Sequence, residues 1–139
     1  MVLVDTSAWI EVFRRPAGIN LESVVDLDEI VTCLPIVQEV LQGFDNEVDF
    51  QVASDAMRAL PIVDSPLGDD VFLEAVGLYR RARRAGKTVR SSVDCLIAAC
   101  AIRHGLTVLH HDRDFPALAE VSTLRQTPIP RPVRRGKRP

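Results

Sequence analysis

Val2-Leu3-Val4-Asp5-Thr6-Ser7-Ala8-Trp9-Ile10-Glu11-Val12-Phe13 reads as a strand that passes directly into a helix. Val2-Leu3-Val4 is a short apolar run, and Asp5-Thr6-Ser7 follows it with side-chain oxygens suited to cap a helix N-terminus. From Ala8 to Phe13 the apolar spacing is helical, and the helix should end before Pro16-Ala17-Gly18.

The same alternation continues outward. Glu29-Ile30-Val31-Thr32-Cys33 predicts a second strand, β-branched at its centre. Pro35 then suits the first turn of a helix carrying Ile36, Val37, Val40 and Leu41, with Gly43 as its stop. A helix around 50–60 leads to a short strand at Pro61-Ile62-Val63. Residues 71–85 form a strong amphipathic pattern, with Val71, Ala75, Leu78 and Ala82 on one face and Gly86 at its end. Cys95-Leu96-Ile97-Ala98-Ala99-Cys100-Ala101-Ile102 is apolar all round, which predicts a buried central helix closed at His104-Gly105. Thr107-Val108-Leu109 is a further strand. A short helix near 117–121 and an edge strand near 123–125 complete the body. Strands alternating with helices imply right-handed crossovers, hence an α/β fold with a central, mostly parallel sheet covered on both faces.

The chain's 139 residues suit one domain, and 47% hydrophobic with 26% charged residues is ordinary globular usage. No apolar run approaches the roughly 18–20 residues needed to cross a bilayer, and the N-terminus lacks a signal-peptide pattern, so a soluble, cytoplasmic protein is expected. Cys33, Cys95 and Cys100 are odd in number and form no CxxC pair, which suits reduced, buried thiols. The formal net charge of −2 hides an asymmetry. Five cations and no acid fall within residues 131–139, leaving the rest at −7. Half of the remaining twelve cations crowd one stretch: Arg80, Arg81, Arg83, Arg84, Lys87 and Arg90. The body is expected to span 1–127, and 128–139 to form a mobile basic tail rich in Pro and Arg.

Functional groups in open parallel sheets gather beyond the carboxyl ends of the strands. Asp5 directly follows the first strand, and Asp112 and Asp114 follow the strand at Thr107. Glu39 lies about one turn into the second helix, and Asp94 heads the buried helix. Acids far apart in sequence thus converge on one sheet edge. Carboxylates gathered without cations repel one another, and a hard, oxygen-preferring dication such as Mg²⁺, or Mn²⁺ in its place, relieves that repulsion. Such an ion supports phosphodiester hydrolysis. No P-loop, serine triad or zinc spacing competes. Singly, each acid has a plainer reading: Asp5 as a helix cap, Asp94 as the distal member of a Ser91-x-x-Asp94 capping box, Glu39 as a solvated residue, and Asp112 and Asp114 as turn residues. His110 and His111 are weak candidates for metal ligands, and the arginine stretch by default is a solvated helix face.

Three blocks, Val2-Leu3-Val4-Asp5-Thr6-Ser7-Ala8-Trp9, Val93-Asp94-Cys95-Leu96-Ile97-Ala98-Ala99 and His111-Asp112-Arg113-Asp114-Phe115, resemble those of PIN domains. More narrowly, they resemble the VapC toxins of VapBC toxin–antitoxin modules. The resemblance covers roughly residues 1–125; the block around Glu39, Ile36-Val37-Gln38-Glu39-Val40, is its loosest part. It implies a PIN-like α/β/α sandwich, Mg²⁺- or Mn²⁺-dependent endoribonuclease activity on structured RNA of the tRNA or rRNA class, inhibition by a VapB-type antitoxin, and a homodimer within the complex. Carried over by position, Asp5, Glu39, Asp94 and Asp112 match the acidic quartet, with Asp5, Asp94 and Asp112 holding metal. Asp114 matches an additional acid, and Thr6, Ser7 and Ser91 match hydroxyls that orient carboxylates or waters. The arginine stretch would grip the RNA backbone.

Other functions remain open on these residues. A phosphohydrolase using an aspartyl-phosphate normally needs a second aspartate two residues after the first, where Ser7 stands. A receiver-type signalling domain needs paired acids ending its first strand. A non-catalytic RNA-binding module would keep the fold without holding metal.

Overall fold

A computed structural model describes residues 1–14 and 18–130. The chain runs β1 (Val2–Val4), α1 (Thr6–Phe13), two 3-10 turns (Leu21–Ser23 and Leu27–Glu29), β2 (Ile30–Cys33), α2 (Leu34–Gln42), α3 (Glu47–Arg58), β3 (Ile62–Val63), α4 (Asp69–Arg84), α5 (Ser92–His104), β4 (Thr107–His110), α6 (Asp114–Ala119) and β5 (Arg125–Pro128). The strands form one sheet in the order β3-β2-β1-β4-β5, and every pairing is parallel.

This order follows from how the chain winds. From β1 through β2 to β3 it travels one way; it then crosses back over β1 to β4 and continues to β5. Right-handed crossovers require the covering helices to change face at that reversal. The helices pack mainly in two groups, α1 with α2 and α2 with α3, and α4 with α5 and both with α6, while α2 also meets α5. β1 and β4 are neighbours in register, Val2 opposite Thr107 and Val4 opposite Leu109. Their chains leave toward opposite faces, so a crevice opens beyond their carboxyl ends.

Leu3, Val4, Val31, Cys33, Val108 and Leu109 fill the centre of the sheet. α4 buries Val71, Ala75, Leu78 and Ala82, the face that the spacing predicts. α5 is buried on nearly all sides, and its Ala98, Ala99, Cys100 and Ala101 have no exposed surface. Their small side chains let α5 approach its neighbours closely, so a larger residue there would overpack. Gly105 ends α5 at φ 61°, a left-handed conformation that glycine adopts freely, and the Leu106 N–H returns to Ala101 O at 2.9 Å. All three cysteines are free and buried.

Three elements are displaced from the sequence-based expectation. α3 begins at Glu47, because Asn46 Oδ1 caps it by accepting from Val48 N and Asp49 N. α6 begins at Asp114, because the Asp112 carboxylate accepts the Asp114 N–H. The edge strand expected near 123–125 begins only at Arg125, because residues 122–124 make a turn in which the Ser122 hydroxyl donates to Leu118 O and accepts from Leu124 N. β5 therefore lies at Arg125–Pro128, its proline tolerated on an edge. Packing continues through Ile129, which is buried and donates to His110 O at 2.7 Å. Pro16, Ala17 and the cations of 131–139 lie outside the described residues. No helix among the described residues is long and apolar enough to cross a membrane.

Candidate active site

The crevice between β1 and β4 is lined with acids. Asp5 caps α1: its Oδ2 accepts from Ser7 N at 2.9 Å and from Ser7 Oγ at 2.5 Å. The Ser7 hydroxyl oxygen also accepts the His111 N–H at 2.9 Å, and Asp5 N donates to Leu109 O at 2.9 Å. Capping thus explains one Asp5 oxygen. The other, Oδ1, is buried with no partner.

Asp94 lies in the first turn of α5, yet the capping box is not formed. Ser91 makes no side-chain cap, and its backbone N–H goes to Asp114 instead. Asp114 Oδ2 accepts both Arg90 N at 3.0 Å and Ser91 N at 3.2 Å, pinning the start of α5 to the start of α6. Asp112 Oδ1 accepts Asp114 N at 2.9 Å. Between α1 and α2, the Thr6 hydroxyl donates to Glu39 Oε1 at 3.0 Å.

Oxygens of Asp94, Asp112 and Asp114 lie within 4.8 Å of one another. Asp5 and Asp112 are close enough to Asp94 for their charges to act on it. Burial, foremost, then Asp114, Asp5 and Asp112 push the Asp94 carboxyl up to about 9. Burial also raises Asp5, against the hydrogen bonds from Ser7, and Asp112 adds to the rise. Glu39 is raised by burial, lowered by Thr6, and raised again by Asp5 and Asp112.

A divalent cation fits this donor set. Asp5, Asp94 and Asp114 are only 2%, 5% and 1% exposed. No ion pair among the described residues neutralises Asp5, Asp94, Asp112 or Asp114. Asp5 Oδ1, Asp94 Oδ2 and Asp114 Oδ1 are buried without a partner, an arrangement that is costly unless a cation completes it. All donors are oxygens, the hard ligands that Mg²⁺ prefers. Among the described residues Asp94, Asp112 and Asp114 come together within 4.8 Å, and Asp5 is near enough for its charge to act on Asp94.

Residues 2–121 match the PIN domain family. Over 129 residues the chain is 42% identical to Ribonuclease VapC11 of Mycobacterium tuberculosis, spanning 89% of this chain and 96% of that protein. The chain belongs to the VapC ribonucleases of the PIN-domain family. Solved structures share the architecture. VapBC-5 of M. tuberculosis superposes with a TM-score of 0.69 at 20% identity over 91% of this chain and 97% of that one. VapC20 of the same organism, a Sarcin-Ricin loop cleaving toxin, does so at 0.65 and 20% identity over 90% and 99%.

On this VapC-type PIN domain the cationic stretch does not form one uniform surface. Arg80, Arg83, Arg84 and Arg90 are exposed. Arg81 Nε donates to Val121 O at 3.2 Å and Lys87 pairs with Glu120, so those two tie α4 and the segment after it to the end of α6. Arg90 reaches the site through its backbone amide. His111 is exposed, and neither His111 nor His110 joins the acid cluster. Two participants escape sequence reasoning: the backbone amides of Arg90 and Ser91, and Gln126, which meets His110 from β5. No pattern in the sequence marks them, because both interactions join distant segments.

Proposed function

We propose that this protein is a divalent-metal-dependent endoribonuclease that cuts structured RNA of the tRNA or rRNA class in the cytoplasm. It acts as the toxin of a toxin–antitoxin pair restrained by a VapB-type protein. The observation that carries the reading is the set of three buried, unpartnered carboxylate oxygens on Asp5, Asp94 and Asp114 at the β1–β4 crevice. The kinship with VapC11 supports ribonuclease chemistry. Structural neighbours solved as VapBC complexes, one bound to a promoter fragment and one bound to DNA, support pairing with an antitoxin.

Asp94, Asp112 and Asp114, with Asp5 adjoining, would hold Mg²⁺ or Mn²⁺. Such an ion supplies Lewis-acid stabilisation of the phosphodiester's charge and lowers the pKa of water. The protein's own groups do the rest. Ser7 fixes Asp5 through its Oδ2, leaving Oδ1 without a protein partner. Asp114 holds the two helix starts together, so Asp94 and Asp112 keep their spacing. Glu39 is half-buried and spends Oε1 on Thr6; its Oε2 is the group available to accept a proton from water. Exposed Arg80, Arg83 and Arg84 would bind RNA phosphates.

The test is cleavage of a labelled, structured RNA by the purified protein, with Mg²⁺ or with chelator, for wild type and Asp94→Asn. Metal-dependent cutting that Asp94→Asn abolishes is the expected result. Cutting that survives either chelator or the substitution would sink the assignment.

A further inference from the structure

His110 ends β4 two residues before Asp112, is 2% exposed, and lies against Phe115 with ring centroids 5.1 Å apart. Its two ring nitrogens have separate duties. Nδ1 faces the Asp112 N–H at 3.1 Å, and Nε2 faces Gln126 Oε1 at 2.6 Å. A backbone amide can only donate, so Nδ1 must be the bare nitrogen and the proton must sit on Nε2. Gln126 receives that proton's hydrogen bond with its carbonyl oxygen, which selects this tautomer.

Asp112 belongs to a short turn held at three points: His111 N on Ser7, Asp112 N on His110, and Asp114 N on the Asp112 carboxylate. The second point depends on the imidazole. With the proton on Nδ1, two N–H groups would face one another and the turn would have to move, carrying Asp112 with it. Gln126 itself sits on β5, an edge strand that contributes no acid to the cluster.

We infer that Gln126 and His110 are positioning residues for the acid cluster: Gln126 fixes the Nε2-protonated tautomer of His110, whose Nδ1 in turn fixes the backbone and the aim of Asp112. The inference rests on the reading of the cluster as a cation site, and its first test is independent of metal. In metal-free protein, ¹⁵N spectra of the His110 ring should show a bare Nδ1 and a protonated Nε2. Exchange of the Asp112 amide should quicken about fivefold or more in Gln126→Met and in His110→Phe, which keep bulk and remove the acceptor. His110→Asn should restore protection, since an Asn oxygen can accept the N–H two residues on. The second test is Mn²⁺ binding by calorimetry. Gln126→Met and His110→Phe should weaken it by about 10–100-fold, the usual cost of losing an outer partner of a ligand, while His110→Asn keeps most of it. Thermal melts run alongside identify any variant that has lost its fold, and the remaining variants then carry the test.

A protonated Nδ1 in the wild type, or unchanged Asp112 exchange in a folded Gln126→Met, overturns the inference. So does Mn²⁺ affinity in Gln126→Met within twofold of wild type. Wild-type protein that fails to bind Mn²⁺ while its exchange pattern behaves as described overturns instead the reading of the cluster as a metal site.

Discussion

The Thr6 hydroxyl donates to Glu39 Oε1 across 3.0 Å, joining two residues 33 positions apart and tying the start of α1 to α2. That bond favours the ionised form of Glu39 and opposes the burial that raises it. Thr6→Val removes it at nearly constant volume. The Glu39 pKa should then rise further, so the acid limb of the pH–rate profile should move to higher pH. Turnover near neutrality should fall about tenfold, with a melting temperature lowered by only a few degrees, since one net hydrogen bond contributes about 1 kcal/mol. A pH–rate profile that does not move would show that Glu39 takes no part in the titration that governs cleavage.

Asp94→Asn should separate activity from stability. Asp94 has a folded pKa of about 9, above its ordinary 3.8. Between those values the folded state binds more protons than the unfolded one, so its stability falls as pH rises through that window. Metal-free wild type should therefore melt at progressively lower temperature from pH 5 to pH 8. Asp94→Asn should flatten this slope and melt higher at pH 8, by about 4 °C for each kcal/mol recovered. Mg²⁺ should restore the wild type and leave the variant unmoved. Calorimetric melts at several pH values, with and without Mg²⁺, read all of this.

Asp114→Ala should behave in the opposite sense. It strips the acceptor from Arg90 N and Ser91 N and loosens the junction of α5 and α6. The expected cost is about 1–3 kcal/mol, seen as a lower urea midpoint, together with loss of cleavage. If Asp114→Ala stabilises the metal-free protein as Asp94→Asn does, its role is repulsive crowding and not support.

Alanine at Arg80, Arg83 and Arg84 together should weaken RNA binding. It should also reduce the slope of log affinity against log salt by about 0.7 for each single-strand phosphate that is no longer neutralised. Arg81→Ala should instead lower the melting temperature, because that side chain spans to Val121 O. Filter binding across a salt series distinguishes these effects, and an unchanged slope in the triple variant would remove this surface from the RNA path.

Much of the architecture is legible in the chain. Where apolar runs meet a capping residue or a glycine stop, as at Val2–Ser7 and at α5 with Gly105, local pattern and tertiary environment agree. β5 escapes such reading because Arg125-Gln126-Thr127-Pro128 carries no apolar alternation; an edge strand is specified by its partner's backbone more than by its own side chains. The acids Asp5, Glu39, Asp94 and Asp112 stand out because each sits just past or just inside an element on the same sheet edge. Asp114 reads from sequence as supplementary, yet it lies in the trio with Asp94 and Asp112. Its position depends on the amides of Arg90 and Ser91, whose relation to it exists only once α5 and α6 have docked. The link between His110 and Gln126 is hidden in the sequence for the same reason.

The acids of the crevice are drawn from residue 5 through to residue 114, and Asp94 meets both of its partners in the trio from beyond the end of α5. No fragment from the first half of the chain contains more of the group than Asp5 and Glu39, so a growing polypeptide has nothing with which to cut. The cluster comes into being only once the segment through Asp114 has been made and folded back onto β1, so synthesis and assembly of the site are separated by more than a hundred residues of chain.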